Sequence, residues 1–566
     1  MVQTVWAIRS LPEKNLNENP PPQELSPLFL ALLSHRGIAL TQSIEEFLQP
    51  SRKDLCNPFL MKGMTEAVAR IQKAKTLREK VLVHGDYDVD GVTGAAIVSL
   101  ALEKLRLSYE TFLPERARDG YGVSGEALQR AARDGARLLI TVDCGISAHE
   151  EIHEARKAGL ETIVLDHHQI PASGLPPAHA ILNPLQEGCS YPFKELSAGG
   201  LAFKLAQALL GPEAFEFFDL ATLSTVADLA PLRGENRILV KEGLRQLSER
   251  KRIGIKAMSQ EARVRAREIK TSHVGFVFGP RINASGRMSS PLTALRLLLT
   301  PSLREAESLA QILEQENRQR QQVERRVLEE ALKEVERTVN FARDRVLVVA
   351  KEEWHAGVIG IVASRLVERY HRPALVIALK EKKGKGSGRS IRSVHLFEAL
   401  EAAREFLLEF GGHEQAVGFS VEQDQILSLR KRLNDHCHAS YAPETFLKSV
   451  DIDLEIRLSD LTPQFLRELE QLEPYGVGNP KPVFLTRGLQ VKQVQPSKKG
   501  KTSRPQVWVT DGSLTYEVSV SERSGLRFDL EPGTPLDLVY TIDPRRWEGE
   551  AMTVLEAKDI KPSPAF

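Results

Sequence analysis

The sequence predicts a multidomain α/β protein: two α/β domains built on parallel sheets, joined by a long helix and followed by a small β-rich domain. Three observations predict this. Short apolar runs alternate with helical patterns twice along the chain, as in parallel sheets covered by helices. A 38-residue stretch from Ser302 to Val339 carries neither Gly nor Pro. After about Ser449 the pattern changes to short alternating runs separated by Gly and Pro turns. A chain of 566 residues is too long for one core.

In the first α/β region, Lys80 to His84 (KVLVH), Leu138 to Val142 (LLITV) and Glu161 to Leu165 (ETIVL) read as buried strands. The helical patterns GVTGAAIVSLALEKL and SAHEEIHEARKAG follow the first two. Ser302 to Val339, rich in Glu and Arg, reads as one helix bridging domains. In the second α/β region, Arg345 to Ala350 is a strand, HAGVIGIVASRLVERY a helix and PALVIALK a strand, with GKGSGRS a Gly-rich loop. The tail runs QVWVT, YEVSVS, LDLVYTI and AMTVLEA suggest a β-barrel or sandwich, an OB-like barrel being one option. Near the start, a Pro run at Pro20, Pro21 and Pro22 precedes two short helical patterns, LSPLFLALLSHRG and SIEEFLQ. The resulting partition is 1–62, 63–240, 241–340, 341–445 and 446–566.

Bulk properties narrow the class. Hydrophobic residues make up 42% and charged residues 27%, which is ordinary for a globular protein. No run reaches the ~18 apolar residues of a membrane span, and the first residues lack the apolar core of a signal peptide. A cytoplasmic protein without membrane partners is expected. Cys56, Cys144, Cys189 and Cys437 are scattered, which suggests neither a disulfide framework nor a zinc ribbon. Net charge is only +1, so attraction for a polyanion must come from local patches. Lys380 to Arg392 holds six basic residues against one acid, and SERKRIGIK, ARVRAREIK and KKGKTSR are further patches. Taken alone, each of these is more often a solvated face than a contact for a polyanion. Aromatics are only 6%, and Tyr87 and Tyr121 are unranked candidates for stacking on bases.

The chemistry concentrates at strand ends, where ligands sit in parallel sheets. HGDYDVDGVTG places His84, Asp86, Asp88 and Asp90 at alternate positions after the first strand. Gathered carboxylates repel unless a cation joins them. The DxDxDG string also begins like a calcium loop, but Ile97 stands where that loop needs a bidentate Glu. Asp143 (VDCG) follows the second strand, and Asp166, His167 and His168 (LDHHQ) follow the third, a pattern for imidazole ligation with a carboxylate orienting the ring. Asp228 in TVADLAPL either caps a turn before Pro231 or joins the cluster. Such donors suit Mn²⁺ or Mg²⁺, and a pair of these ions can clamp both oxygens of a phosphoryl displacement. GKGSGRS, with Ser387, Arg389 and Ser390, could offer amides and a guanidinium to a phosphate or be a flexible hairpin. Arg281 is another planar donor, Gly411, Gly412 and His413 allow close backbone approach beside an imidazole, and His355 could touch a phosphate or cap a helix.

In order, HGDYDVDG, VDCG, DHH and DLA resemble the four motifs of the DHH phosphoesterase superfamily. GPRINASGRM, WHAGVIGIVASR, GSGRSIRS, GGHEQAVGF and PYGVGNPKPVF resemble the further motifs of RecJ exonucleases. The resemblance implies a DHH domain, a DHHA1 domain and an OB domain, and 5′→3′ hydrolysis of single-stranded DNA to 5′-mononucleotides in DNA repair and recombination. It implies two ions, Mn²⁺ or Mg²⁺: His84, Asp88 and Asp143 on one, and Asp90, Asp143, His167 and Asp228 on the other. Asp86 and His168 would orient or neutralise. Arg281, Ser387, Arg389, Ser390, Gly411, Gly412 and His413 would anchor the 5′ end, and His355 would bind substrate at a phosphate near the metals. Implied partners are single-stranded DNA with a 5′ end, a single-strand-binding protein and a helicase, with the chain acting as a monomer. The rival readings are another DHH phosphoesterase, such as an oligoribonuclease or small phosphodiester hydrolase, and a non-catalytic single-strand-binding relative.

Overall fold

The computed structural model describes residues 4–10, 25–38, 41–115, 122–495, 506–520, 530–547 and 550–563. The Pro run at 20–22, Tyr121 and the basic loop at 496–505 lie outside the described residues. The chain forms two compact units, residues 52–446 and residues 1–51 with 447–566.

The larger unit opens on a five-stranded, all-parallel sheet in the order Tyr109–Phe112, Lys80–Gly85, Ala136–Val142, Glu161–Leu165, Ala180–Leu182. Its strands are buried almost throughout, as the unbroken apolar runs require. The edge strands Tyr109–Phe112 and Ala180–Leu182 are too short and mixed to stand out in the sequence.

The long helix spans Leu303–Thr338, 36 residues, with the Ser302 hydroxyl accepting from Glu305 N at 3.3 Å as the cap. Its buried stripe divides between two cores. Ala306, Leu309, Ala310 and Leu313 pack with the first sheet's core. Val327, Ala331 and Val335 pack against Leu347, Val349 and Ile359 of the second α/β region. One rigid element thus spans both cores.

The second sheet is mixed rather than wholly parallel. Its order is Glu409–His413, Ala416–Glu422, Lys383–Arg389, Ala374–Lys380, Leu347–Glu352, and only the last two strands run parallel. GKGSGRS is therefore a strand and not a loop. Gly384, Gly386 and Gly388 point inward, where an added Cβ would come 2.5 Å from Ile377, 2.1 Å from Phe419 and 2.6 Å from Val417. The glycines make room for the larger side chains of neighbouring strands. Lys383, Lys385, Ser387 and Arg389 occupy the alternate face.

In the other unit, five strands close on themselves: Phe484–Gln495, Gln506–Thr510, Thr515–Ser519, Glu550–Pro562 and Pro535–Trp547, the last pairing back onto the first. This is an OB-like barrel. The sequence reading set residues 1–62 apart, but residues 1–51 belong to this unit. Val5–Ile8 pairs in parallel with Ser449–Ile452. The helix Pro27–His35 buries Phe29, Leu32 and Leu33 against Phe465, Leu469 and Phe484. Ser26 donates to Glu468 through its amide (2.9 Å) and its hydroxyl. No helix among the described residues is long and apolar enough to cross a membrane.

Candidate metal centre

Each strand of the first sheet that carries a motif ends in a turn held by its own carboxylates. After Lys80–Gly85, the Asp88 carboxylate accepts from Asp90 N (2.9 Å) and Gly91 N (3.2 Å), which starts the helix Val89–Lys104. Gly91 lets that helix press on the strand end, since a Cβ there would lie 2.5 Å from both Asp86 N and Asp86 O. Asp90, in the first turn of that helix, caps a second helix, Ala198–Leu210. Its two oxygens accept from Ala198 N and Gly199 N, both at 2.8 Å, and one accepts also from the Ser224 hydroxyl.

Asp143 follows Ala136–Val142 with φ of +62°, a left-handed conformation that a side chain adopts at a cost. Its amide donates to Leu165 O at 2.9 Å, which locks the turn to the next strand. Asp166 at the end of that strand accepts from Ile146 N (2.9 Å), His168 N (3.1 Å) and His168 Nδ1 (2.7 Å). The last bond leaves Nε2 of His168 as the atom for the site. His167 Nε2 lies 3.4 Å from Asp143 Oδ1, 3.6 Å from Asp90 Oδ2 and 3.8 Å from Asp228 Oδ2. Asp228 is the C-cap of the helix Phe218–Ala227.

Ligand atoms therefore meet in three overlapping groups: Asp86, Asp88 and Asp143; Asp90, His167 and Asp228; Asp143, His167 and His168. Asp86 stands in the first group, where the sequence split placed His84. The His84 ring instead accepts from Ser124 N at 3.1 Å and faces Cys144 Sγ at 3.7 Å.

The electrostatics call for a cation. Burial and the charges of Asp90, Asp88 and Asp86 hold the Asp143 carboxyl well above the usual carboxylate range. Burial and the Asp90 charge raise Asp88. Burial, Asp90 and Asp88 push Asp228 up to about 8. Burial also pushes His167 down despite Asp90. Asp143 Oδ1 and His167 Nε2 are buried with no hydrogen-bond partner among the described residues. Acidic oxygens and an imidazole nitrogen, desolvated and unsatisfied, are the donor set of a hard or borderline divalent cation.

The remaining predicted residues are gathered by the second α/β region. The helix Gly279–Met288 brings that region to the centre. Asn283 accepts from Val89 N at 3.0 Å, a Cβ on Gly286 would lie 2.5 Å from Tyr87 O, and Arg287 donates to Gly357 O at 2.9 Å. His355, exposed, accepts from Gly357 N at 3.1 Å and so stands beside this bridge. Arg389 and His413 share a row of the mixed sheet, because Ala416 pairs with both. Gly412, with φ of +136°, has room only for hydrogen, since a Cβ would lie 2.4 Å from Ala416 O. Ser387 and Arg389 reach the bare Gly360 in the first turn of the helix Ile359–Tyr370. Ser390 donates to Val394 O at 2.7 Å and holds the turn that follows.

Arg281 is engaged elsewhere. Its guanidinium binds Glu314 at 2.7 Å and Val277 O at 2.7 Å. Sequence reasoning passed over Asn283 and Arg287 in the same motif. The i,i+4 steps from Gly279 to Asn283 and from Asn283 to Arg287 were the available signal.

A parallel α/β sheet with carboxylates and imidazoles at its strand ends, in a chain that also carries a basic mixed sheet and an OB-like barrel, defines a metal-dependent phosphoesterase. The chain matches the DHH family N-terminal domain over residues 80–230, the DHHA1 domain over 343–439 and the RecJ OB domain over 452–559. It is 36% identical over 556 residues to the single-stranded-DNA-specific exonuclease RecJ of Bacillus subtilis, covering 98% of this chain and 70% of that one. Against the same enzyme of Escherichia coli it is 36% identical over 488 residues, 82% of this chain and 84% of that one. The crystal structure of RecJ in complex with Mn²⁺ from Thermus thermophilus superposes with a TM-score of 0.83 at 30% identity, covering 99% of this chain and 80% of that one. The chain belongs to the RecJ family of single-stranded-DNA-specific exonucleases.

Gly91→Ala tests how finely the centre is set. The added methyl must displace the Asp86 backbone, and a shift on the order of 1 Å costs about 10²-fold in rate. Cleavage should fall by about that factor while the circular dichroism spectrum is kept. Unchanged cleavage would show that the strand end tolerates movement.

Proposed function

We propose that this chain degrades single-stranded DNA from its 5′ end, releasing 5′-mononucleotides in repair and recombination, with two divalent cations, Mn²⁺ or Mg²⁺, bound in the carboxylate cluster. The observation that carries the reading is the convergence of Asp90, Asp143 and Asp228 on His167 Nε2 within 3.8 Å. Asp86, Asp88 and Asp143 would hold one ion, and Asp90, Asp143, His167 and Asp228 the other, with Asp143 serving both. When bound, such ions supply Lewis acidity and activate water for attack on phosphorus.

The protein's own groups do the rest. Asp166 orients His168, leaving Nε2 for the site. Ser197 and Ser224 hydroxyls, hydrogen-bonded to each other at 2.6 Å, hold Asp90 in place from behind. On the mixed sheet, Ser387, Arg389 and the Gly411–His413 strand offer hydroxyl, guanidinium, amide and imidazole donors to the 5′ end and its phosphate. His355, joined to the first region through Arg287 and Gly357, would contact a phosphate between the two.

Digestion of 5′-labelled and 3′-labelled strands in Mn²⁺, with a duplex control, tests the proposal. Early release of the 5′ label, with the duplex spared, is expected. Release of the 3′ label first would overturn the polarity, and activity confined to dinucleotides would favour a small phosphodiester hydrolase.

A further inference from the structure

We infer that Phe276 and Leu229 form a stacking platform at the rim of the metal centre that receives a nucleobase of the substrate strand. The inference rests on the single-strand reading above and adds to it a site for the base.

Phe276 is 82% exposed, more than any other large hydrophobic residue described, and Leu229 is 67% exposed. Isolated exposed apolar side chains are ordinary. These two share a setting that is not. Leu229 directly follows Asp228 and has φ of +60°. It ends the helix Phe218–Ala227 in the position where glycine is favoured, with Leu229 N donating to Val226 O at 3.4 Å and Ala230 N to Thr225 O at 3.1 Å. The backbone bears left-handed strain, and the side chain it carries packs against little of its own protein. Strain of this kind is retained where a function needs it.

Phe276 lies in the π-helical turn Val274–Phe278, which leads into the helix Gly279–Met288. Turns of this kind recur at functional sites. Val274 and Phe278 are fully buried, so the turn is anchored on either side of Phe276. Along the following helix, Gly279, Asn283 and Gly286 form the face that meets the centre. A Cβ on Gly279 would lie 3.8 Å from Ala227 and 3.9 Å from Val89, Asn283 binds Val89 N, and Gly286 abuts Tyr87 O. Phe276 lies three residues before Gly279, where an added Cβ would be 3.8 Å from Ala227 at the end of the Asp228 helix, and the Phe276 side chain reaches solvent.

The occupant follows from the chemistry of the substrate. A phosphate drawn to the carboxylate cluster by its cations carries a base tethered through one sugar, within reach of the cluster's rim. In a single strand that base has a bare π-face. Stacking on an aromatic ring is indifferent to base identity, as an enzyme that removes every nucleotide in turn requires. A duplex buries the same faces in its own stack, so the platform also favours single strands.

The test measures binding by fluorescence anisotropy of a short 5′-phosphorylated oligothymidylate with phosphorothioate linkages, and of matched strands with one abasic position near the 5′ end. Phe276→Ala should weaken binding of the intact strand about tenfold. Wild type should lose about as much on one abasic strand, and Phe276→Ala should lose little more on it. Phe276→Trp should restore affinity. Leu229→Gly should weaken binding while its melting temperature holds or rises, because glycine accepts the left-handed turn. Equal losses on intact and abasic strands, or Phe276→Ala binding like wild type, would overturn the platform alone. A Phe276-dependent change in sedimentation would assign the patch to a second copy of the chain and overturn it as well. Wild-type protein that fails to bind the strand at all would overturn the single-strand reading and the platform with it.

Discussion

Asp143→Asn is expected to abolish cation-dependent cleavage, by on the order of 10³-fold or more, while leaving the cation-free protein more stable. Asparagine has the shape of aspartate and tolerates the left-handed conformation that Asp143 adopts at φ of +62°. The turn and its bond to Leu165 O therefore survive. Only the charge is lost, and this is the carboxylate that belongs to two of the three ligand groups. The sign of the stability effect follows from its titration. Burial and neighbouring carboxylates raise its folded-state pKa, so at neutral pH the charged form opposes folding. Removing that charge should raise the melting temperature in chelator by about 2–4 °C per kcal/mol of relieved repulsion. In wild type, Mn²⁺ should raise the melting temperature and chelation should reverse it. In Asp143→Asn that rise should largely vanish. A variant that still cleaves, or that gains full stabilisation from Mn²⁺, would remove Asp143 from the centre.

The second large effect lies away from the chemistry. Glu235→Ala should cost about 3–5 kcal/mol of stability. Lys204 is fully buried, and its ammonium is held by Glu235 at 3.0 Å and by Cys56 O at 2.6 Å. Glu235 also accepts from Cys56 N at 2.9 Å and from the Tyr191 hydroxyl. Burial already pushes the Lys204 pKa down, with Glu235 as the opposing influence. Without Glu235 the lysine must lose its proton or drag its surroundings to water, and the segment around Cys56 loses its anchor. Urea denaturation should show an earlier midpoint. The double variant Lys204→Met with Glu235→Leu should recover most of the loss, since no lone charge stays buried. If the double variant is as unstable as Glu235→Ala, packing and not the uncompensated charge accounts for the loss.

Residue type and spacing alone carry the chemistry and the main elements. Asp86, Asp88, Asp90, Asp143, Asp166, His167 and His168 are legible because a parallel sheet delivers its strand ends to one edge, and each strand is an unbroken apolar run. The long helix is legible because nothing in it interrupts a helical period. Other features emerge only when distant segments meet. GKGSGRS hides a strand, because its inward positions are glycines whose lost hydrophobicity is supplied by Phe419, Ile377 and Val417 on neighbouring strands. Residues 5–8 find their partner at 449–452, a pairing no local pattern encodes. Arg281 is drawn to Glu314 on the long helix, a neighbour that exists only once the two helices pack. His84 and Asp86 lie two residues apart with the same periodicity, and only the fold brings Ser124 N and Cys144 Sγ against the His84 ring. Local order follows from residue type and period, whereas the choice among equivalent donors depends on which distant segments arrive beside them.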